Sequence, residues 1–166
     1  MRENDTKIEN LVAHFAQKEV LLLGKKKLAK LLYFVDFTNF ELHGKSVTGM
    51  MYKKMQYGPM PATFYKHLDR LQQKKVIDIG KPSIVSAREQ ITALKHPDYS
   101  VFTTEEMAVI NQVTGKFKND TATMVEAAAK QEPPYKMVKA NEEIPYHLAY
   151  YRNSFDEISL DENISA

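Results

Sequence analysis

The stretch KKKLAKLLYFVDFTNFELHG, Lys25 to Gly44, decides the fold. Leu28, Leu31, Leu32, Val35 and Phe40 recur at the helical interval, and Tyr33, Phe34 and Phe37 widen the stripe around most of the circumference. A helix apolar on so many sides is central to a small domain, and Gly44 supplies its C-terminal stop. Upstream, Ile8, Leu11, Val12 and Phe15 predict a first helix, capped by Asp5 and ended by Gly24.

Downstream, residues 50–56 read as a strand closed by Tyr57-Gly58-Pro59. Pro61 suits the first turn of a helix over residues 62–75, where its missing N–H costs nothing. Phe64, Leu68 and Leu71 face inward on it, while Lys66, Arg70 and Lys74 share the wet side. Residues 76–79 and 90–94 predict a β-hairpin with a long connection. Thr103 followed by Glu106 is a capping box that opens a helix to about Phe117. Another helix starts at Asn119 or Thr121 and stops before Pro133-Pro134, and residues 144–151 read as a strand leading into a short helix. The expected fold class is α+β, predominantly helical, with helices packed around a small antiparallel sheet or β-hairpin. A single domain is expected over 1–154, with an acidic, frayed tail over 155–166.

Composition narrows the function classes. With 166 residues, 43% of them hydrophobic, the chain has enough apolar material for a core. It has no cysteine, which removes disulfides, thiolate metal sites and a cysteine nucleophile, and fits a reducing cytoplasm. The first 20 residues are too polar for a secretory signal, and the longest apolar patch falls short of the roughly 20 residues a membrane span needs. Residues 1–75 carry a formal charge of +7 and residues 76–166 carry −5. That asymmetry points to an oriented partner surface, or to charge spread unevenly over a solvated one.

Enzyme templates find no match. The six glycines form no phosphate loop, and His14, His43, His67, His96 and His147 never take metal-ligand spacing. Most of these histidines are expected at surfaces or helix ends. Asp36 and Glu41 are five apart and do not share a helix face; Glu105–Glu106 and Glu142–Glu143 are adjacent and point apart. No catalytic, cofactor or metal residue is assigned, and an enzyme is not expected. The order of basic helix and then hairpin is that of winged-helix modules, which makes a DNA-binding regulator the alternative reading. Lys53, Lys54, Lys66, Arg70, Lys74 and Lys75 would then meet phosphates, with Arg70 alone able to read guanine bidentately.

The run Lys27-Leu28-Ala29-Lys30-Leu31-Leu32-Tyr33-Phe34, then His43-Gly44-Lys45, then Tyr57-Gly58-Pro59 and Tyr65, resembles the signature of the Panacea domain, the SocA-like antitoxin or phage-associated domain. A later element, Ala129-Lys130-Gln131-Glu132-Pro133-Pro134-Tyr135, and Ile144-Pro145 extend the resemblance to about Tyr150. Lys130 stands where the family usually has histidine, Tyr135 where it has tryptophan, and Met55 where tryptophan is frequent. The resemblance implies a cytoplasmic antitoxin that binds and neutralises a toxin encoded beside it, in one known case as an adaptor presenting the toxin to a protease.

Leu28, Leu31, Leu32, Tyr33, Phe34, Gly44, Tyr57, Gly58, Pro59, Glu132, Pro134 and Tyr135 read as mainly structural motif positions. Glu132, just past a helix and ahead of two prolines, suits a bond to backbone amides or to a core tyrosine hydroxyl. The partner surface is expected to comprise Tyr52, Lys53, Lys54, Tyr57, Tyr65, Lys66, Arg70 and Lys74, since tyrosine and arginine are enriched at interfaces.

Overall fold

A computed structural model describes residues 2–17, 19–81 and 89–152. In chain order the elements are α1 (Asp5–Phe15), α2 (Lys25–His43), β1 (Tyr52–Met55), β2 (Gly58–Pro61), α3 (Phe64–Gln73), β3 (Ile77–Gly80) and β4 (Gln90–Ala93). They continue with α4 (Thr104–Phe117), α5 (Ala122–Lys130), α6 (Pro133–Lys136) and β5 (Glu143–Ile144), and 3-10 turns cover Tyr99–Val101 and Tyr146–Tyr151. The fold is α+β and predominantly helical. One antiparallel sheet has the order β2-β1-β5, and β3 and β4 form a separate antiparallel hairpin.

The wide apolar stripe of α2 explains its central place. Residues 27–39 of that helix are all buried, and α4, α5, β2 and the turn 146–151 pack around it. Aromatic rings make the contacts: Phe34 stacks on Phe117 at 4.5 Å, Tyr33 on Phe37 at 4.6 Å, and Phe37 on Tyr146 at 4.7 Å between centroids. The helix ends where the sequence predicts, at Gly44, whose φ of +73° is the left-handed conformation a C-cap glycine takes without strain. The Thr103–Glu106 capping box is present, and Glu106 also receives Lys7 Nζ at 2.8 Å, which ties α1 to the start of α4.

Four local expectations are corrected. The cap of α1 is Asn4, whose side chain accepts from Lys7 N at 3.0 Å, and Asp5 lies inside the first turn. Gly24 does not end α1, which stops at Phe15; it is the N-cap residue of α2. The strand expected over 50–56 spans Tyr52–Met55 and ends at the Gln56-Tyr57 hairpin turn, but Gly58 and Pro59 do not share in closing it: they begin β2. Pro61 belongs to β2, opposite Tyr52, and α3 begins only at Phe64. Two prolines fit there because β2 is an edge strand, where a missing N–H breaks no ladder. The acidic tail expected over 155–166 lies outside the described residues. No helix among the described residues is long and apolar enough to cross a membrane.

Candidate functional site

Two polar arrangements are built on α2, one at each end. Around its C-terminal half the charges are inside. Asp36, 0% exposed, accepts from Val47 N and Thr48 N at 2.8 Å each, from Tyr52 Oη at 2.6 Å, and from the Thr48 hydroxyl. Burial pushes its carboxyl above the ordinary value, and these hydrogen bonds pull against that shift. Alongside, Tyr33 donates to Glu132 at 3.2 Å, and Arg152 donates from Nε to Glu132, from Nη1 to Glu41 at 2.9 Å and from Nη2 to Thr38 at 3.1 Å. Burial raises the Tyr33 and Tyr52 hydroxyls well above their usual range, so both stay protonated donors.

Of the two partners expected for Glu132, the structure supplies the core tyrosine hydroxyl and adds Arg152. Tyr135 donates to Met55 O at 2.5 Å, so two positions that depart from the family pattern are joined.

At the N-terminal end the charges face outward. Lys27 and Lys30 are the exceptions; the Lys27 ammonium is buried and donates to the carbonyls of Leu21 at 2.7 Å, Lys118 at 3.2 Å and Asp120 at 2.6 Å, stitching α2 to the end of α4. Burial lowers its pKa, partly opposed by Asp120. Lys26 lies 4.2 Å above the Tyr57 ring, Lys54 4.6 Å above Tyr135, and Lys25 5.7 Å from Tyr65, with Lys25 also 3.1 Å from Glu89. Tyr57 is 50% exposed and Tyr65 56%.

Beneath them Lys30, 1% exposed, is depressed to about 8; burial is the main cause, Glu126 opposes it, and Lys26 and Lys130 add to it. Lys130 pairs with Glu126 at 3.5 Å. Gly58 makes this packing possible: its φ is +109°, and a Cβ there would stand 2.7 Å from Lys30 Cε. A cleft of about 590 Å³ opens beside the tyrosines, walled by Leu22, Lys25, Lys26, Tyr65, Ala122 and Glu126.

The expected partner residues therefore separate. Lys54, Tyr57 and Tyr65 join this lysine–tyrosine face. Tyr52 does not belong on any surface: strand alternation points it inward onto Asp36, at 0% exposure, and leaves Lys53 exposed on the other side. Lys66 is exposed on α3, but Arg70 donates to His67 Nδ1 at 3.1 Å and Lys74 reaches Glu9 at 2.5 Å.

His67 is buried within α3, against the expectation of a surface or helix-end position, and His14 is buried at a helix end, in the last turn of α1; each is fully used in packing. His67 donates from Nε2 to Glu3 at 3.0 Å. Thr114 gives its hydroxyl proton to Ile110 O at 2.7 Å, so His14 Nε2 donates to Thr114 Oγ1 at 2.8 Å and Nδ1 accepts from Tyr99 at 2.9 Å. Burial lowers the His14 pKa, with Glu19 opposing, which favours that neutral form. This histidine walls a second cleft of about 640 Å³, between residues 20–23 and β4.

Glu3, Asp5 and His67 converge, among the described residues, in a group with metal-ligand side chains. Glu3 is already engaged by His67 and by Thr63 Oγ1 at 2.5 Å, with the Arg70 guanidinium donating to the other ring nitrogen of His67, which is the chemistry of a hydrogen-bonded tie.

Sequence reasoning missed Lys25, Lys26, Lys30, Lys130 and Arg152 as members of polar sites. A signal existed for the first three: lysines crowd the opening turns of α2, the positive end of its dipole, with no acidic residue in the first turn. Arg152 had none, since its partners Glu41 and Glu132 lie 111 and 20 residues away.

Comparison with protein families matches residues 28–136 to the model described as antitoxin SocA-like, Panacea domain. No curated protein and no solved structure matches the chain.

Proposed function

Because the chain belongs to the SocA-like, Panacea-domain antitoxin family, with residues 28–136 of its 166 matched, we propose that it neutralises one cognate toxin by holding it on the lysine–tyrosine face. The observation that carries the site is the pairing of tyrosine rings of the matched region with cations: Lys26 lies over the exposed ring of Tyr57, and Lys54 lies over the largely buried ring of Tyr135. Tyrosine supplies a large contact area with little conformational entropy to lose, and it is enriched among residues that dominate binding energy. Three lysines in the first turn of α2 oppose its dipole, so an acidic partner surface would relieve a repulsion the isolated chain carries. The role is binding, with no catalytic step.

Expressing the neighbouring gene alone should arrest growth, and co-expression with this chain should restore it. A harmless neighbour removes the reading's main support. If the chain also delivers the toxin to a protease, the toxin's half-life after translation is blocked should shorten when the chain is present. An unchanged half-life together with restored growth leaves sequestration alone.

The succession of α3 and the β3–β4 hairpin favours a second reading, a winged-helix-like regulator acting on its own operon. Against it stand Lys74, paired with Glu9, and Arg70, held on His67, which leave Lys66 as the member of the three outside these two ties. A gel shift on upstream DNA at two salt concentrations tests it. Sequence-specific retention abolished by replacing Lys66, Arg70 and Lys74 with Ala supports it, and retention without sequence preference reports only a charged surface.

A further inference from the structure

The structure assigns the lysine–tyrosine face an occupant within the same chain: we propose that it is a receptor for an acidic segment with spaced apolar residues, and that residues 153–166 fill it in cis. This goes beyond the antitoxin reading and does not rest on any toxin. Residues 153–166 read NSFDEISLDENISA, with four carboxylates, no Lys or Arg, and apolar side chains at Phe155, Ile158, Leu160 and Ile164. Residues 1–152 hold all 23 Lys+Arg against 17 Asp+Glu, a formal +6, so this segment brings the chain to its overall +2.

The place where the segment leaves the fold is fixed. Arg152 is 0% exposed at its side chain and clamped by Glu132 and Glu41. Glu132 lies two residues beyond Lys130 and bonds Tyr33, which precedes Phe34 on α2 and follows Lys26 by seven residues, about 10 Å of helix. From this exit a series of cation–ring pairs leads away: Lys54 on Tyr135, Lys26 on Tyr57, Lys25 near Tyr65. Exposed Met55 and Leu22 border the same series and offer apolar contact between the charges. Fourteen residues span up to roughly 45 Å when extended, more than this path requires. Tethering also raises the segment's effective concentration to the order of millimolar, so weak individual contacts suffice to keep the face covered.

The chain's lack of cysteine makes the test direct. A nitroxide is attached to the full-length Ser159→Cys variant, and amide signals are compared before and after the label is reduced. The proposal expects signals of Lys26, Tyr57 and Lys130 to lose most of their intensity, while those of α1 and β4 keep theirs. Intensity should return in 0.5 M salt and in the variant with Asp156, Glu157, Asp161 and Glu162 all changed to Lys. Broadening centred elsewhere, or none above the uniform background, overturns the proposal. A mixture of labelled-nitroxide protein and isotope-labelled protein lacking the cysteine checks the source: the same pattern arising between molecules means a second copy's segment fills the face, which overturns the cis assignment. A neighbour gene that proves harmless would leave these results untouched, so the two readings fail separately.

Discussion

The two ends of α2 handle charge in opposite ways. Toward its C-terminus, Asp36, Glu132 and Arg152 are taken out of water together and meet donors and acceptors in good geometry. In its opening turns, Lys25 and Lys26 spread over exposed tyrosines, and Lys30 is buried with no carboxylate within ion-pair distance among the described residues. The first arrangement specifies the fold: it joins α2 to the β1 sheet, to α6 and to the turn 146–151. The second opposes the fold, since cations crowd the positive end of a helix dipole. Only Lys27, on its three carbonyls, serves the scaffold there. The contrast teaches that within the basic run Lys27 is tied into the scaffold through backbone carbonyls, whereas Lys25 and Lys26 lie over exposed tyrosine rings.

The comparison is broken most easily at Arg152. Arg152→Ala leaves Glu132 and Glu41 facing each other's surroundings without their cation, and the expected loss is about 3–5 kcal/mol in urea unfolding. A loss under roughly 1 kcal/mol would mean the buried end is no more structural than the exposed one.

Lys30 provides the next largest effect, with the opposite sign. Its folded pKa of about 8 lies below the ordinary 10.5, so between those values the unfolded chain binds more protons and stability rises with pH. Below about pH 8 the full penalty of the buried charge is present, on the order of 3 kcal/mol at about 1.36 per pH unit. Lys30→Met should therefore stabilise the protein at pH 7 and flatten the rise in stability from pH 8 to 10.5. A variant no more stable than the parent would show that the lysine end carries no internal cost.

Gly58→Ala comes third. The positive φ and the close approach to Lys30 predict a loss of about 1–3 kcal/mol by thermal unfolding, and a neutral outcome would uncouple the hairpin turn from the lysine beneath it.

Much of the scaffold was legible because it rests on local rules. The bounds of α2, its Gly44 stop and the Thr103–Glu106 box need only neighbours in sequence, and all three are present. Pro61 misled because proline fits both a helix start and an edge strand, and only the pairing of β1 with β2 decides between them. Tyr52 misled because tyrosine suits interfaces and cores alike; the buried Asp36 that claims its hydroxyl is 16 residues away. The lysine–tyrosine face was half legible. Tyr57, Tyr65 and Lys54 were named from composition, whereas Lys26 reaches Tyr57 only when the start of α2 and the β1–β2 turn converge.

The smallest expected effect on stability accompanies the largest on binding. Lys26→Glu with Tyr57→Ala removes a surface cation–ring pair and should change unfolding stability by less than about 1 kcal/mol. Titration calorimetry of the purified toxin from the neighbouring gene into parent and double variant therefore tests the central claim directly. The account predicts an affinity loss of at least about 10-fold, equal to roughly 1.4 kcal/mol, with the unfolding midpoint of the variant unchanged. Equal affinity for parent and variant would contradict it and move the toxin surface away from the N-terminal end of α2.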